Sequence, residues 1–165
     1  ERAARGLPVI LEKSGSVSLE NSNFTLTARP DRIDLLSDGR VHIYDYKTGV
    51  LPSEKQQRAF EKQLLLEAVM VERGGFAKLG PRPVEAVTYL QLGGDGKESE
   101  IVIEDDVLAR IWKQLHLLIE SYQRRQTGYT SRRAVFEAGR EGDYDHLARF
   151  GEWQMSDMPS RQDVG

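Results

Sequence analysis

The sequence predicts an α/β fold in which a central mixed β-sheet is flanked by helices, and three observations favour it. Residues 24–48 contain two runs of alternating apolar and polar residues around a short turn, which is typical of a β-hairpin. Residues 84–103 contain a second pair of extended runs. Apolar residues at helical spacing occupy residues 53–73, between the two pairs, and residues 105–125, after them.

The composition predicts one ordinary domain and excludes several kinds of site. The chain has 165 residues and no cysteine, which excludes disulfides, iron–sulfur ligation and a cysteine nucleophile. A formal net charge of −3 argues mildly against tight autonomous binding of nucleic acid. No apolar run is long enough to span a membrane, so we expect no membrane contact and a cytoplasmic location. Because the first residue is Glu1 rather than Met, we expect a piece of a longer polypeptide, with one domain over residues 1–155 and a loose tail over residues 156–165.

The turn at residues 37–39 decides which side chains face each other across the first hairpin. A two-residue turn would place Arg32 opposite Asp45. A three-residue loop, with its glycine in the left-handed conformation, places Asp31 opposite Asp45 instead. We favour the three-residue loop because it gives one coherent face, in which Asp31, Asp45 and Lys47 cluster at the far end of an apolar block.

Two carboxylates that face each other across a hairpin predict a bound cation. Opposed residues in a hairpin have Cβ atoms about 5 Å apart, so Asp31 and Asp45 repel each other unless positive charge lies between them. Lys47 supplies one positive charge, and a divalent metal with oxygen ligands would supply the rest, which favours Mg²⁺ or Mn²⁺ over zinc. Such a site suits metal-assisted hydrolysis, with Lys47 acting on the attacking water or on the developing charge. Taken alone, Asp45 and Lys47 also fit a surface ion pair.

The helix predicted over residues 53–73 adds an amide to this face. Ser53 and Gln56 fit a capping box at its start, and Gly74-Gly75 would end it. An amide such as Gln63, in an otherwise core-facing stripe, suits a phosphate or a metal-bound water. The stripe has i+3 and i+4 spacing and contains Gln56, Phe60, Gln63, Glu67 and Met70.

The rest of the chain completes the sheet and adds a basic stretch. Strands are predicted over residues 84–92 and 99–103, followed by a helix over 105–125 with Asp105 or Asp106 as its N-cap. Beyond this helix, arginines alternate with aromatic residues, which suits the phosphates and bases of single-stranded DNA. A solvated helix end that forms a partner-subunit surface is the alternative interpretation. The predicted DNA-contacting residues are Arg124, Arg125, Tyr129, Arg132 and Arg133.

The motifs Pro30-Asp31, Asp45-Tyr46-Lys47 and Gln63, in this order, resemble those of the PD-(D/E)XK nuclease superfamily, in its RecB-like branch. The longer runs LTARPDRIDLL, DYKTGVLPS, QLLLEA and GDYDHLARFGEW are similar to the C-terminal nuclease domain of the AddB family of double-strand-break repair subunits, in its alphaproteobacterial form. The resemblance extends from about Phe24 to Trp153. It implies a restriction-endonuclease-like core.

The resemblance also implies roles for the clustered residues. Asp31, Asp45 and the backbone carbonyl of Tyr46 would bind Mg²⁺ or Mn²⁺, Lys47 would be the catalytic lysine, and Gln63 would be the amide of the helical motif. The implied activity is that of a metal-dependent exonuclease that cuts one strand of DNA ends for recombinational repair, with the AddA helicase–nuclease as partner subunit. The alternatives are a catalytically silent DNA-binding or scaffolding lobe that docks AddA, and a free-standing endonuclease.

The chain departs from the family pattern in several places. Glu67 stands where the helical motif has a tyrosine, and Ala28 stands where the first motif begins with a glycine. The upstream His or Glu ligand of this branch has no counterpart in the sequence. The cysteines that bind an iron–sulfur cluster in some AddB proteins are also missing, so we expect no cluster.

Overall fold

The computed structural model describes residues 6–59, 61–128, 146–147, 149, 151–154 and 156–158. The chain divides into two compact units, residues 1–119 and 120–165. The single domain predicted over residues 1–155 and the loose tail predicted after it stay predictions. The described strands and helices are β1 (Leu7–Leu11), β2 (Gly15–Ser18), β3 (Thr25–Ala28), β4 (Arg32–Leu35), β5 (Val41–Lys47), α1 (Glu54–Ala59), α2 (Gln63–Glu72), β6 (Val84–Gln91), β7 (Glu98–Val102) and α3 (Val107–Gln123).

The predicted mixed sheet with flanking helices is confirmed. Five strands form one sheet in the order β1-β4-β5-β6-β7, in which only β5 and β6 among the described pairs run parallel. Helix α2 connects these two parallel strands along the chain and packs against both of them, as expected for a crossover in a parallel pair. Strands β2 and β3 form a separate two-stranded sheet.

The three-residue loop of the first hairpin is also confirmed. The Leu36 N–H donates to the Arg40 carbonyl over 2.9 Å, and Gly39 has a φ of 85°. The ladder between β4 and β5 ends with the pair Arg32 and Tyr44. In this register the next position of the hairpin sets Asp31 opposite Asp45.

The extended run predicted over residues 24–36 is not one strand. It divides into β3, which pairs only with β2, and β4, which belongs to the five-stranded sheet. Pro30 lies in the break and is buried. Because proline has no N–H to donate, it cannot continue a ladder through the middle of a sheet, and the chain changes sheets there.

The single helix predicted over residues 53–73 is wrong in its middle. Its start is as predicted: the Ser53 N–H donates to Gln56 Oε1 over 2.8 Å, and the Gln56 N–H donates to Ser53 Oγ over 3.4 Å, which is a capping box. Helix α1 then ends at Ala59. The Glu61 N–H donates to the Gln56 carbonyl, five residues back, over 3.0 Å, which departs from α-helical spacing.

A second helix begins at Gln63. Its N-cap residue Lys62 makes no side-chain cap, and the Leu66 N–H donates the first hydrogen bond of the helix to the Lys62 carbonyl over 2.9 Å. The break also divides the predicted stripe of side chains between the two helices. Helix α2 carries Gln63, Glu67 and Met70, whereas α1 carries Gln56, and Phe60 lies outside the described residues.

Helix α3 closes the core beside α2. It begins at Val107, and the Asp106 carbonyl accepts its first hydrogen bond from the Arg110 N–H over 2.9 Å, so Asp106 occupies the predicted N-cap position. The helix buries Leu108, Ile111 and Trp112. Among the helices described, none is long and apolar enough to cross a membrane.

Candidate active site

The carboxyl end of β5 brings the predicted acids together. Asp45 is buried, with 5% of its surface exposed, and the register of the hairpin, continued one position beyond its last pair, Arg32 and Tyr44, sets it opposite Asp31. Residues that oppose each other in an antiparallel pair share a face of the sheet. Asp31 also reaches β5 with its side chain, because its Oδ2 accepts a hydrogen bond from the Tyr46 N–H over 2.7 Å.

The backbone of Tyr46 faces the same gap as Asp31. The N–H and C=O of one strand residue point to the same edge of that strand, so the Tyr46 carbonyl lies on the edge toward β4. Strand β4 begins only at Arg32 and gives this carbonyl no ladder partner. The next carbonyl, that of Lys47, points the other way and accepts a hydrogen bond from the Leu92 N–H over 2.8 Å.

Lys47 supplies positive charge to the cluster. Its Nζ lies 2.9 Å from Asp45 Oδ2 and 5.6 Å from the centre of the Tyr89 ring. The angle of the contact with Asp45 does not make a hydrogen bond, so this buried carboxylate oxygen has none. With about a third of its side chain exposed, the ammonium stands at the mouth of the site, where it can reach a substrate.

Gln63 covers the cluster from the first turn of α2. Its Nε2 donates one hydrogen bond to Asp45 Oδ1 over 3.0 Å and another to Glu67 Oε1 over 3.2 Å. The amide nitrogen therefore bridges an acid on the sheet and an acid on the helix. Gln63 lies over the site, as the sequence predicts. No role at the site was predicted for Glu67, which stands where the family motif has a tyrosine.

Glu67 is a third acid beside the predicted pair. Only 2% of its surface is exposed, and its Oε2 has no hydrogen-bond partner. Burial raises the pKa of this carboxyl to about 7 against the opposing effect of the Gln63 hydrogen bond, and the charges of Asp45 and Asp31 raise it further. Its place in the polar stripe, four residues after Gln63, was the signal in the sequence that could have identified it.

Tyr89 forms the floor of the site and was also missed. It pairs with Asp45 across the parallel strands, and 1% of its surface is exposed. Burial raises the pKa of its phenol far above the usual value, and the carboxylates of Glu61, Asp45 and Glu67 add to the shift. The phenol therefore stays neutral. Alternation along the predicted strand over residues 84–92 could have placed this side chain on the face of the site.

The side chains at the end of β5 fit a hard divalent cation. Asp31, Asp45 and the Tyr46 carbonyl offer only oxygen donors, which Mg²⁺ and Mn²⁺ prefer. Asp45 Oδ2 is buried without a hydrogen bond, as expected of a ligand atom. Across the described parts of the chain, no three His, Cys, Asp or Glu side chains stand close enough to hold a metal together, so Glu67 does not complete such a set with the two aspartates.

The predicted DNA-contacting residues fall partly outside the described residues. Arg124 and Arg125 directly follow the last residue of α3, and both are exposed. Tyr129, Arg132 and Arg133 lie outside the residues that the structure describes. A DNA contact by this basic stretch stays a prediction.

Comparisons with known proteins agree with this geometry. Residues 1–150 match the family described as the PD-(D/E)XK nuclease superfamily. The chain is similar to the uncharacterized protein RC0550 of Rickettsia conorii, with 28% identity over 81 residues that cover 47% of this chain and 10% of that protein. It is also similar to an uncharacterized protein of Rickettsia bellii, with 29% identity over 79 residues that cover 46% of this chain and 10% of that protein. The matched part of the chain thus spans about a tenth of the length of these relatives.

Proposed function

The chain belongs to the PD-(D/E)XK nuclease superfamily, and we propose that the site at the end of β5 is its active site, a Mg²⁺-dependent centre that hydrolyses the phosphodiester bonds of DNA. Its mixed five-stranded sheet with flanking helices is the restriction-endonuclease-like α/β fold that the sequence predicted. One observation carries the proposal: the hairpin register sets Asp31 opposite Asp45, with the Tyr46 N–H bonded to Asp31 and Lys47 beside Asp45.

The carboxylates of Asp31 and Asp45 and the carbonyl of Tyr46 would hold the metal. When bound, Mg²⁺ acts as a Lewis acid toward a phosphoryl oxygen and increases the acidity of a coordinated water. The Tyr46 N–H keeps one oxygen of Asp31 fixed and leaves the other for the ion. Gln63 engages Oδ1 of Asp45, and Oδ2, which lies 2.9 Å from the Lys47 ammonium, would be shared between Lys47 and the ion.

Lys47 and Gln63 act on the reacting groups. The Lys47 ammonium is exposed enough to meet a phosphate and close enough to Asp45 to orient a water between the ion site and the substrate. It stabilises the negative charge that develops on the phosphoryl oxygens. The Tyr89 ring beneath Nζ holds the ammonium over the site by a cation–π contact.

We also propose a role in the processing of DNA double-strand breaks. This proposal is based on the sequence motifs and not on the geometry of the site. The runs around Asp31, Asp45 and Gln63 resemble those of AddB nuclease domains, so the domain would cut one strand at DNA ends in complex with an AddA-type helicase–nuclease. The long relatives, of which the match covers 10%, agree with a nuclease domain inside a much larger protein. Copurification of the full-length protein with an AddA-type subunit, and loss of one strand's cleavage in the mutant complex, test this role.

The nuclease proposal is tested with labelled single-stranded and double-stranded DNA. The full-length protein, with any copurifying subunit, is incubated with Mg²⁺ or with EDTA. We expect Asp45→Asn to abolish the cleavage attributed to this domain, and EDTA to have the same effect. Asp38→Asn is the matched control, because Asp38 is an exposed acid paired with Arg40 in the hairpin loop. Equal cleavage by wild type and Asp45→Asn would contradict the assignment.

The silent-lobe alternative gives a different pattern in the same assay. A scaffolding domain would leave all cleavage unchanged in Asp45→Asn, while DNA binding and the partner complex stay intact. A free-standing endonuclease would instead cut without any partner subunit and would lose that activity in the variant.

A further inference from the structure

The orientation of the Gln63 carboxamide is fixed by two acids. A carboxamide has a donor end, Nε2, and an acceptor end, Oε1. In this structure Nε2 faces Asp45 Oδ1 and Glu67 Oε1, at 3.0 and 3.2 Å. Both neighbours are acceptors, and a carboxyl group that carries its proton on the other oxygen still accepts at this one. The amide therefore cannot turn its oxygen toward either acid without repulsion.

The two hydrogen bonds use both hydrogens of Nε2 and leave Oε1 at the opposite end of the amide. Gln63 is exposed at the start of α2, so Oε1 is available to accept a hydrogen bond from a group outside the cluster. A water that approaches the phosphate beside Asp45 is such a donor. With only Asp45 as partner, a single hydrogen bond would hold the amide, and its plane could rotate about that bond.

Glu67 has no evident role in packing. Its neighbours along α2 are buried apolar residues, and its own Oε2 is buried without a partner. A buried polar atom in that state costs free energy, and a leucine of similar volume would not have this cost. Among the described residues, the hydrogen bond that this carboxyl makes comes from Gln63. Because burial of the Glu67 carboxyl costs free energy, its hydrogen bond with Gln63 is the feature that explains an acid at this position.

We propose that Glu67 is a positioning residue: it fixes the Gln63 carboxamide so that Nε2 engages Asp45 Oδ1 and Oε1 is presented to the attacking water. This inference rests on the proposed nuclease function and assigns a role to the residue that replaces the tyrosine of the helical motif. Glu67 touches neither the metal nor the substrate, and it acts through Gln63 on the orientation of the water and of Asp45.

The test compares substitutions at position 67 in the full-length protein. We expect Glu67→Leu, which fills the space and removes the acceptor, to lower kcat by about 10- to 100-fold, as loss of an outer-shell partner does, with the KM for DNA unchanged. Glu67→Gln keeps an oxygen acceptor, so we expect it to retain kcat within about threefold. Glu72→Leu, the same change at an exposed position of α2, is the control and leaves kcat unchanged.

Two further measurements separate positioning from other roles. In a Gln63→Leu background, Glu67→Leu causes no further loss of kcat, because the two residues act as one unit. The affinity for Mn²⁺ alone, measured by calorimetry without DNA, stays within about threefold of wild type in Glu67→Leu, because the inference places Glu67 on the orientation of the water and not among the ligands of the metal.

Each contrary result overturns the inference. An unchanged kcat in Glu67→Leu or in Gln63→Leu removes the proposed role, additive losses in the double variant show independent roles, and a loss of Mn²⁺ affinity above about tenfold shows that Glu67 acts on the metal site rather than on the water. Should Glu67→Leu fail to fold, Glu67→Met carries the same test. Failure of the nuclease function itself shows separately, because Asp45→Asn would then keep full activity.

Discussion

Two buried acids of the β4–β5 hairpin differ in how their charge is satisfied. Asp34 is fully buried, and both of its oxygens accept hydrogen bonds from Arg32, over 2.6 and 2.7 Å. This hydrogen-bonded pair raises the pKa of the Arg32 guanidinium above its usual value. Asp45, with 5% of its surface exposed, has one oxygen bonded to Gln63 and the other without a hydrogen bond.

The difference separates an acid that stabilises the fold from an acid that is open to a ligand. The Arg32–Asp34 pair lies on the opposite face of the sheet from the site and leaves no oxygen of Asp34 unbonded. At the end of β5, three carboxylates face one ammonium, and two buried oxygens lack hydrogen bonds. Lys47 pairs with one of these oxygens, Asp45 Oδ2, and the burial of several acids together still costs free energy, as is expected of a functional cluster rather than of a stabilising one.

The largest effect on activity is expected for a substitution of Lys47, the cation beside Asp45. Lys47→Gln should lower the rate of DNA cleavage by about 10²- to 10³-fold, because it removes charge stabilisation at the phosphate. Because Asp45 is buried, loss of the ammonium should also lower the free energy of unfolding, so the cleavage rates are compared under conditions in which both proteins are folded. Lys78→Gln is the matched control, because Lys78 is an exposed lysine that follows the end of α2 opposite to Gln63. Full activity in Lys47→Gln would contradict its catalytic role.

The hairpin contains two Arg–Asp pairs, Arg32–Asp34 and Asp38–Arg40, and the members of each pair are two residues apart. Asp34→Asn removes the buried carboxylate that accepts two hydrogen bonds from the half-buried Arg32 guanidinium, so we expect a loss of about 1.5–3 kcal/mol in the free energy of unfolding. Asp38→Asn breaks an exposed pair with Arg40 and should cost less than about 1 kcal/mol. Urea denaturation monitored by circular dichroism measures both. Equal losses would show that burial does not distinguish the two pairs.

The titration of Glu67 should make the free energy of unfolding depend on pH. Its pKa is about 7 in the folded chain and 4.5 as the ordinary value, so the folded state binds more protons between these values. Stability should therefore fall as pH rises from about 4.5 to 7, by up to about 3 kcal/mol.

Glu67→Gln removes this titration. We expect the variant to gain stability relative to wild type between pH 4.5 and 8, measured by urea denaturation at a series of pH values with a chelator present. A difference in stability that is constant across this range would show that Glu67 does not titrate as its burial implies.

The smallest effect is expected at the start of α1. Ser53→Ala removes the hydroxyl of the capping box and should cost about 1 kcal/mol of stability. Because α1 and α2 are separate helices, the cleavage rate should stay unchanged once the protein is folded. A large loss of activity in folded Ser53→Ala would show that α1 positions the site.

The hairpin register and the place of Gln63 could be predicted because local chemistry determines them. The loop at residues 37–39 ends in a glycine with a φ of 85°, and alternation then assigns Asp31 and Asp45 to one face.

The break between α1 and α2 could not be predicted in this way. No glycine or proline interrupts residues 53–73, so no local signal marks the end of α1 or the start of α2. The hydrogen bond from Gln63 to Glu67 likewise depends on how α2 packs over the sheet, where the same amide reaches Asp45.

Binding of Mn²⁺ to the full-length protein tests most directly whether Asp31 and Asp45 form one metal site. Calorimetry should give binding in wild type and in Asp38→Asn, and at least about tenfold weaker binding in both Asp31→Asn and Asp45→Asn. Wild-type affinity in either single variant would contradict the shared site.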